Sequence, residues 1–320
     1  MEKVAVIIVA YNSAGLIART LTAISLLSVK PSRVLVVDNA SEDAVRLEIE
    51  VKKFPACELI SLPENLGFAA ANNVGIRRCD DVEYVVLVNP DAFLAPDALE
   101  RLVAYAREHP DVAAFGCRLL SYENPDVLDG LGDYLTLAGK PGRLGHGRPA
   151  AGFTDSPGRI FSVCAAAALY RRSALGSIGG FDEEFFCYVE DVDLGFRLRL
   201  MGYRCLLVSD AVAYHMGSAT TGGRHSEFSL YYGHRNLVWC FIKNMPGVLF
   251  WALLPLHLAV NFFSIVWFCL RGKGGTILKA KRDAIKGIPG MWQKRQKLQS
   301  TRKARIGDIW AVLDKHIVRL

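Results

Sequence analysis

The feature that most constrains this chain is a series of short, almost continuous Val, Ile and Leu runs separated by segments of helical length. The runs cover residues 4–10, 33–37, 58–62, 84–88 and 112–117. A strand wetted on one face alternates apolar and polar residues, whereas these runs do not, so each is expected to be covered on both faces. Residues 13–27, 41–54, 69–77 and 97–108 read as helices, the last with Pro96 near its first turn. Strands alternating with helices imply an α/β protein built on a mostly parallel sheet. Further on, residues 121–157 are rich in Gly and Pro and predict a long loop or lid over a site. Residues 159–171 resume a strand-like pattern, residues 190–201 form a helix stopped by Gly202, and residues 205–208 make another apolar run. No internal repeat is present.

Composition narrows the class. With 51% hydrophobic and 22% charged residues in 320, disorder, collagen and coiled coil are excluded, and the length allows one large domain or two small ones. The eight cysteines lie at least 18 residues apart, so neither a disulfide framework nor a structural zinc site is expected. The first apolar run is too short for a secretory core and lacks a small-residue cleavage pattern, which places the body in a reducing cytoplasm.

In an open parallel sheet, ligands bind beyond the carboxyl ends of the strands. The first run ends in Tyr11-Asn12, the second in Asp38-Asn39-Ala40-Ser41, and the fourth in Asn89-Pro90-Asp91. Two carboxylates and an aromatic ring on one rim suit a nucleotide, with the base on Tyr11 and Asp38 accepting from a base N–H or a ribose hydroxyl. Asp and Asn after a strand are also ordinary turn formers and caps. Proline ends the fourth strand and presents Asp91 at the sheet edge, where a carboxylate can bind Mg²⁺ or Mn²⁺ bridging a pyrophosphate. No GxGxxG follows the first strand and no GxxxxGK[ST] occurs, so phosphates must be held by a metal or by basic side chains.

The densest constellation runs from Gly179 to Arg197, with six carboxylates in the twelve residues 182–193, interleaved with aromatics. On a helix starting near Glu190, Asp193 and Arg197 are spaced to pair, whereas Asp191 shares a face with Gly195, which leaves room for a ligand. Dipole complementation accounts for Glu190 and Asp193 but not for the aromatic rim or the glycine. His215 follows the later apolar run. A single histidine is commonly structural, and together with Asp91 it can complete a cation site.

Six stretches carry a resemblance: VIIVAYNS (6–13), VVDNAS (36–41), NLGFAAANNVGI (65–76), VNPD (88–91), GFDEEFFCYVEDVDLGFR (180–197) and YHMGS (214–218). In this order, over residues 4 to 240, the sequence resembles the family-2 glycosyltransferases of GT-A fold, and within them the bacterial rhamnosyltransferase-like branch. The resemblance implies a nucleotide-sugar donor, with Tyr11, Asn12 and Asp38 in the nucleoside pocket and Asn65, Asn72 and Asn73 lining it. It makes Asn89-Pro90-Asp91 the counterpart of the family's DxD motif, with Asp91 on the metal beside the diphosphate. It makes Asp191 of the Glu190-Asp191 pair the catalytic base and His215 a second metal or diphosphate contact. Asn89 stands where the stricter motif has a carboxylate, which leaves one fewer anionic ligand for the cation.

The overall charge of +6 conceals an asymmetry: residues 271–320 carry a net +11 and residues 1–270 a net −5. Residues 244–270 contain no Asp, Glu, Lys or Arg and are long enough to span a bilayer once. The positive-inside rule would then put the body on the side opposite its cytosolic donor. The better expectation is a helical pair broken at Pro255, lying in or dipping into the cytoplasmic leaflet, with residues 271–305 on anionic headgroups. The plainer alternative is a buried helix with a solvated basic face, and nothing supplies a nucleic-acid recognition motif.

The sequence therefore reads as an inverting GT-A glycosyltransferase over residues 1–240, followed by a membrane-associating helical segment over residues 241–320. The expected reaction moves rhamnose or a related deoxyhexose from a dTDP- or UDP-linked donor to a glycan or lipid-linked glycan, in cell-surface polysaccharide synthesis. A non-catalytic nucleotide-sugar-binding scaffold and a carboxylate-dependent hydrolase are the competing classes. The scaffold would not need Asp191, and the hydrolase needs two acids across one bond.

Overall fold

In this computed structural model, which describes residues 2–152, 158–217 and 226–316, the apolar runs become the centre of one large sheet. Strands β1 (Val4–Ala10), β2 (Arg33–Asp38), β3 (Cys57–Ser61) and β4 (Tyr84–Val88) are linked by helices α1 (Ala14–Ser25), α2 (Ala44–Lys52) and α3 (Gly67–Arg77). They pair in parallel in the order β4, β1, β2, β3. The lack of alternation in β1 has the expected cause. Val4, Val6 and Ile8 pack with Ile17 and Leu21 of α1 and Leu47 of α2, while Ala5, Ile7 and Val9 join Ala71 and Ile76 of α3 in a second core on the opposite face.

After a turn at Asn89-Pro90-Asp91 the chain forms β5 (Ala92–Leu94), α4 (Ala98–Glu108) and β6 (Val112–Ser121). Then come β7 (Leu128–Gly130), β8 (Asp133–Leu135), β9 (Pro141–Arg143), β10 (Gly158–Arg159), β11 (Ala167–Arg171), α5 (Arg172–Ile178), α6 (Glu190–Leu200) and β12 (Arg204–His215). β11 inserts antiparallel between β4 and β6, β6 pairs β12 in parallel, and β5, β7 and β10 complete a ten-stranded sheet. Helices α7 (Glu227–Asn244), α8 (Gly247–Leu270), α9 (Gly274–Lys286), α10 (Ile288–Ser300) and α11 (Ile306–Val312) close the chain.

Several expectations change here. The long loop of residues 121–157 carries β7, β8 and β9, with residues 153–157 outside the described part. Only Ala167–Arg171 of the strand-like 159–171 segment runs in the sheet as a full strand; residues 160–166 form a buried crossing in which Asp133 exchanges backbone hydrogen bonds with Phe161 and Ser162. The 205–208 run lengthens to His215 across an irregularity between Val208 and Val212, where Asp210 leaves the strand pattern to pair with Arg101 at 2.8 Å. The boundary expected at residue 240 falls inside α7. Trp239, Phe241 and Phe250 of the C-terminal helices share a core with Phe161, Phe185 and Phe196.

The helical pair expected at Pro255 is a single helix, α8, of 24 residues. Proline removes the N–H that would bond the Trp251 carbonyl, but Leu249, Phe250, Leu253 and His257 dock the halves on both sides of it. His257 anchors this contact, with Nδ1 at 2.7 Å from the Ala138 carbonyl and its ring stacked on Phe241. The rest of α8 is open: Trp251, Leu258, Phe262, Phe263, Trp267 and Leu270 are all exposed. Among the described residues it is the one helix long and apolar enough to cross a membrane.

Candidate active site

The ends of β1, β2 and β4 open into a cavity of about 2040 Å³ that reaches Tyr11, Asn39, Asn65, Asn89, Asp91, Asp191 and His215 and continues to the α8 face. That is above the ~300–1,000 Å³ of an ordinary small-molecule site, and gives room for two substrates at once.

At the β1–β2 end, where the sequence leads one to expect a nucleoside, Tyr11 is partly exposed on the rim. Asn39 donates to Asn65 Oδ1 at 2.8 Å and accepts from Leu66 N at 2.9 Å, which ties the β2 end to the start of α3. Asn12 and Asp38 do not line the cavity. Asn12 accepts from Glu42 N at 2.8 Å, and Asp38 lies buried beneath the rim, accepting from Ser41 N at 3.1 Å. Asn72 and Asn73 are also turned away. Asn73 receives Phe181 N at 2.8 Å and donates to Phe181 O at 2.9 Å, so its amide pins the acidic segment to α3 rather than facing a ligand.

The Asn89-Pro90-Asp91 turn is fixed on every side. Ala166 O receives Asn89 N, Thr20 Oγ donates to Pro90 O at 2.6 Å, and Met216 N donates to Asp91 O. Asp91 is buried with Oδ1 at 3.3 Å from His215 Nε2, while His215 Nδ1 lies 2.8 Å from Asp129 Oδ2. Despite its burial, the two carboxylates raise the His215 imidazole to about 9. The Asn89 Oδ1 and His215 Nε2 atoms are buried without a hydrogen-bond partner.

This donor set fits a divalent cation once the cation displaces the proton from His215 Nε2, since histidine ligates only as the neutral imidazole. The 3.3 Å span between Asp91 and His215 Nε2 is near the ~3 Å between adjacent ligands of an octahedral ion with ~2.1 Å bonds. Asp129 on the other ring nitrogen is the usual support of a metal-bound histidine. Among the described residues no group of three or more His, Cys, Asp or Glu converges on one point, so the remaining ligands would be oxygens of a diphosphate. Ser218, the last residue of the 214–218 motif, lies outside the described residues.

Asp191 lies in the first turn of α6 on the cavity wall, its Oδ1 accepting from Val192 N at 2.8 Å. Burial raises its carboxyl above the usual range, which makes the ionised form a stronger base. Glu190 is also raised, by burial and then by Asp191, so the two neighbouring carboxyls disfavour a second charge on the pair. Asp193 forms the expected ion pair with Arg197 at 2.8 Å and adds Lys243 at 2.6 Å. Gly195 has another reason than ligand room: a Cβ there would lie 2.4 Å from Ser162 Cβ, so α6 can touch the 160–166 crossing only through a glycine.

Asp191 is aimed by a strained approach. Phe186, Tyr188 and Val189 hold φ of 64°, 67° and 68°, the last a β-branched residue in the left-handed region. Asn236 of α7 holds them there, donating to the carbonyls of Phe185, Cys187 and Tyr188 at 2.8, 2.9 and 2.7 Å.

Four wall residues were missing from the sequence reading because they come from the segment taken as a loop. Asp129, Asp133 and Arg143 stand on β7, β8 and β9, and His146 follows. Arg143 donates to Asp129 at 2.8 Å and to Cys164 Sγ at 3.1 Å. Burial, with Asp191 as the second cause, pushes Asp133 up to about 8. The Asp129–Gly130 and Asp133 positions between closely spaced glycines were the available signal.

A model of the family described as Glycosyl transferase family 2 matches residues 5–179. The chain is 28% identical over 246 residues to the N-acetylglucosaminyl-diphospho-decaprenol L-rhamnosyltransferase of Mycobacterium tuberculosis, an alignment covering 68% of this chain and 77% of that protein. The fold is similar to that of the mannosyltransferase PcManGT from Pyrobaculum calidifontis in complex with GDP-Man and Mn²⁺, at 20% identity and a TM-score of 0.58, covering 97% of this chain and 88% of that one. It is also similar to S. aureus TarS 1-349 in complex with UDP-GlcNAc, at 19% identity and a TM-score of 0.59, covering 94% and 84%.

Proposed function

The chain belongs to glycosyl transferase family 2, and from that premise we propose that it moves rhamnose or a related deoxyhexose, with inversion, from a dTDP- or UDP-linked donor to a lipid-linked glycan in cell-surface polysaccharide synthesis. The observation that carries this reading is the single cavity joining the Tyr11 and Asn65 rim, the Asp91–His215 pair and Asp191. The rhamnosyltransferase named above supports the sugar and the lipid carrier.

In this reading Tyr11 and Asn65 hold the nucleoside, and Asn89 presents its free Oδ1 to the donor. Asp91 and His215 would hold Mg²⁺ or Mn²⁺, whose charge stabilises the departing nucleoside diphosphate. Asp191 takes the proton of the acceptor hydroxyl as that oxygen attacks the anomeric carbon. Glu190 lies beside it with its carboxyl raised by burial and by Asp191, which disfavours a second charge there. The protein works at the cytoplasmic face of the membrane, with the exposed side of α8 in the leaflet and the basic residues after it on anionic headgroups. Residues 1–240 supply the donor-site residues and the base, and within 241–320 the exposed side of α8 and the basic residues after it supply the membrane-facing part.

A panel of nucleotide sugars scored by thermal shift identifies the donor, since a ligand stabilises in proportion to its affinity. With that donor, Asp191→Asn is expected to abolish transfer while donor affinity stays within about twofold, as base removal affects the transition state alone. Comparable turnover in the variant would sink the assignment of the base.

A further inference from the structure

The cavity does not end at Asp191. Beyond it, α7 contributes His234, α8 contributes Asn261, and the turn of the β8–β9 hairpin contributes Lys140 to the same wall. Next to them lies Lys281 of α9, a lysine only 7% exposed. Its ammonium donates to His234 O at 2.9 Å and to Asn261 Oδ1, and lies 3.4 Å from His234 Nδ1. All three partners are neutral. The acid closest in sequence, Asp283, is engaged elsewhere, accepting from Tyr231 and Arg282 at 3.0 Å each.

A buried ammonium without an anion is costly, and buried charges in folded proteins are paired. Burial pushes Lys281 down to about 7, and the fields of Lys281 and Lys140 add to burial in pushing His234 down to about 3. Both shifts record a site built to be completed by an anion, whose arrival would restore the Lys281 charge, and the basic groups Lys281, Lys140 and His234 stand at one end of a cavity whose other end holds Asp133, Glu190 and Asp191. An anion entering this space finds its cationic partners at the α7–α9 end and none among the acids at the other.

The adjoining wall is apolar. Leu256, Val260, Phe263 and Trp267 line the cavity at steps of three and four residues, hence along one face of α8. Phe263 and Trp267 remain 69% and 52% exposed, so this face leads outward along the helix.

We infer that Lys281, His234, Asn261 and Lys140 form a binding site for the diphosphate of a polyprenyl-diphosphate-linked acceptor, with the prenyl chain along α8 and the acceptor sugar directed toward Asp191. The inference rests on the glycosyltransferase reading and supplies its acceptor chemistry. The hairpin that carries Asp133 to the catalytic end carries Lys140 to the anion end, so one short element sets the distance between acceptor sugar and acceptor phosphate.

The test is direct binding, independent of transfer. Full-length protein in detergent with EDTA, so that no metal assists a diphosphate at Asp91, is titrated calorimetrically with farnesyl diphosphate, inorganic pyrophosphate and farnesol. Farnesyl diphosphate is expected to bind more tightly than either half. Lys281→Met and Lys140→Ala are each expected to weaken it at least tenfold, leaving farnesol affinity and Mn²⁺-dependent binding of the donor nucleotide unchanged. Lys140 is exposed, so its variant decides the matter even where Lys281→Met does not fold. Equal affinity for farnesyl diphosphate in the wild type and the folded variants overturns the site. So does a loss of flotation on phosphatidylglycerol-containing vesicles in variants that bind farnesyl diphosphate normally, because the anion would then be a membrane headgroup. Failure of every nucleotide sugar to stabilise the protein would instead count against the glycosyltransferase reading, and leaves the diphosphate titration interpretable.

Discussion

Asn236→Ala separates the two things the α7 helix does: it closes a core and it holds the approach to Asp191. The amide is fully buried and donates to three carbonyls in the Phe185–Tyr188 segment. The Phe185 carbonyl also accepts from Cys187 N and Arg235, so the loss falls chiefly on the carbonyls of Cys187 and Tyr188. Leaving each unsatisfied costs about 1–3 kcal/mol, or roughly 2–6 kcal/mol together, if the segment keeps its shape. It has reason not to keep it, because relaxing even one of the residues at φ 64°, 67° and 68° returns about 1–3 kcal/mol of strain. The net loss of global stability is therefore expected to be about 1–3 kcal/mol, a fall in Tm of roughly 2–5 °C. Turnover should suffer more than stability. A relaxed segment moves Asp191, and a misplacement of about 1 Å costs on the order of 100-fold. Thermal and urea unfolding followed by circular dichroism give the first quantity, and kcat at saturating donor gives the second. An Asn236→Ala protein with unchanged Tm and kcat within about twofold would refute the reasoning, since the strained approach would then hold without its clamp.

Three further outcomes are expected. Gly195→Ala forces a Cβ to 2.4 Å from Ser162 Cβ and should lose about 1–3 kcal/mol in urea unfolding; undiminished stability would show that α6 has slack against the 160–166 crossing. Asp129→Asn removes the anion that orients His215, so Mn²⁺ affinity measured with nucleoside diphosphate present should fall about 10–100-fold, with Asp129→Glu recovering part of it; equal affinity would detach Asp129 from the metal pair. Asp133 is favoured in its neutral form by a carboxyl raised to about 8, so native stability declines as pH rises from an unfolded carboxyl value of about 4 toward 8. Asp133→Asn should flatten that decline in urea midpoints measured across the range, and an unaltered slope would place the cause elsewhere.

Much of the molecule was legible in one dimension. The four central strands and the helices α1 to α4 follow from runs buried on both faces, because such burial imprints itself on every consecutive residue. The break at Asn89-Pro90-Asp91 follows from proline chemistry, and the Asp193–Arg197 pair from helical spacing. What escaped has a common character. Asn73 looked like a pocket amide and is spent on Phe181, while Gly195 looked like ligand room and is a packing contact with Ser162. Pro255 looked like a break, yet docking on both sides of it keeps α8 whole.

The sequence by itself determined the sheet, its two-sided covering, the rim where Tyr11 and Asp91 stand, and the helix that begins with Glu190 and Asp191. Tertiary structure alone decided that Asp129 reaches His215 across 86 residues, that Arg143 and Lys140 stand at different stations of one cavity, and that Lys281 is buried without an anion. The physical reason is range. Periodicity records what covers a residue within its own strand or helix, whereas the partners of a buried charge are set by which distant segments the completed core brings together.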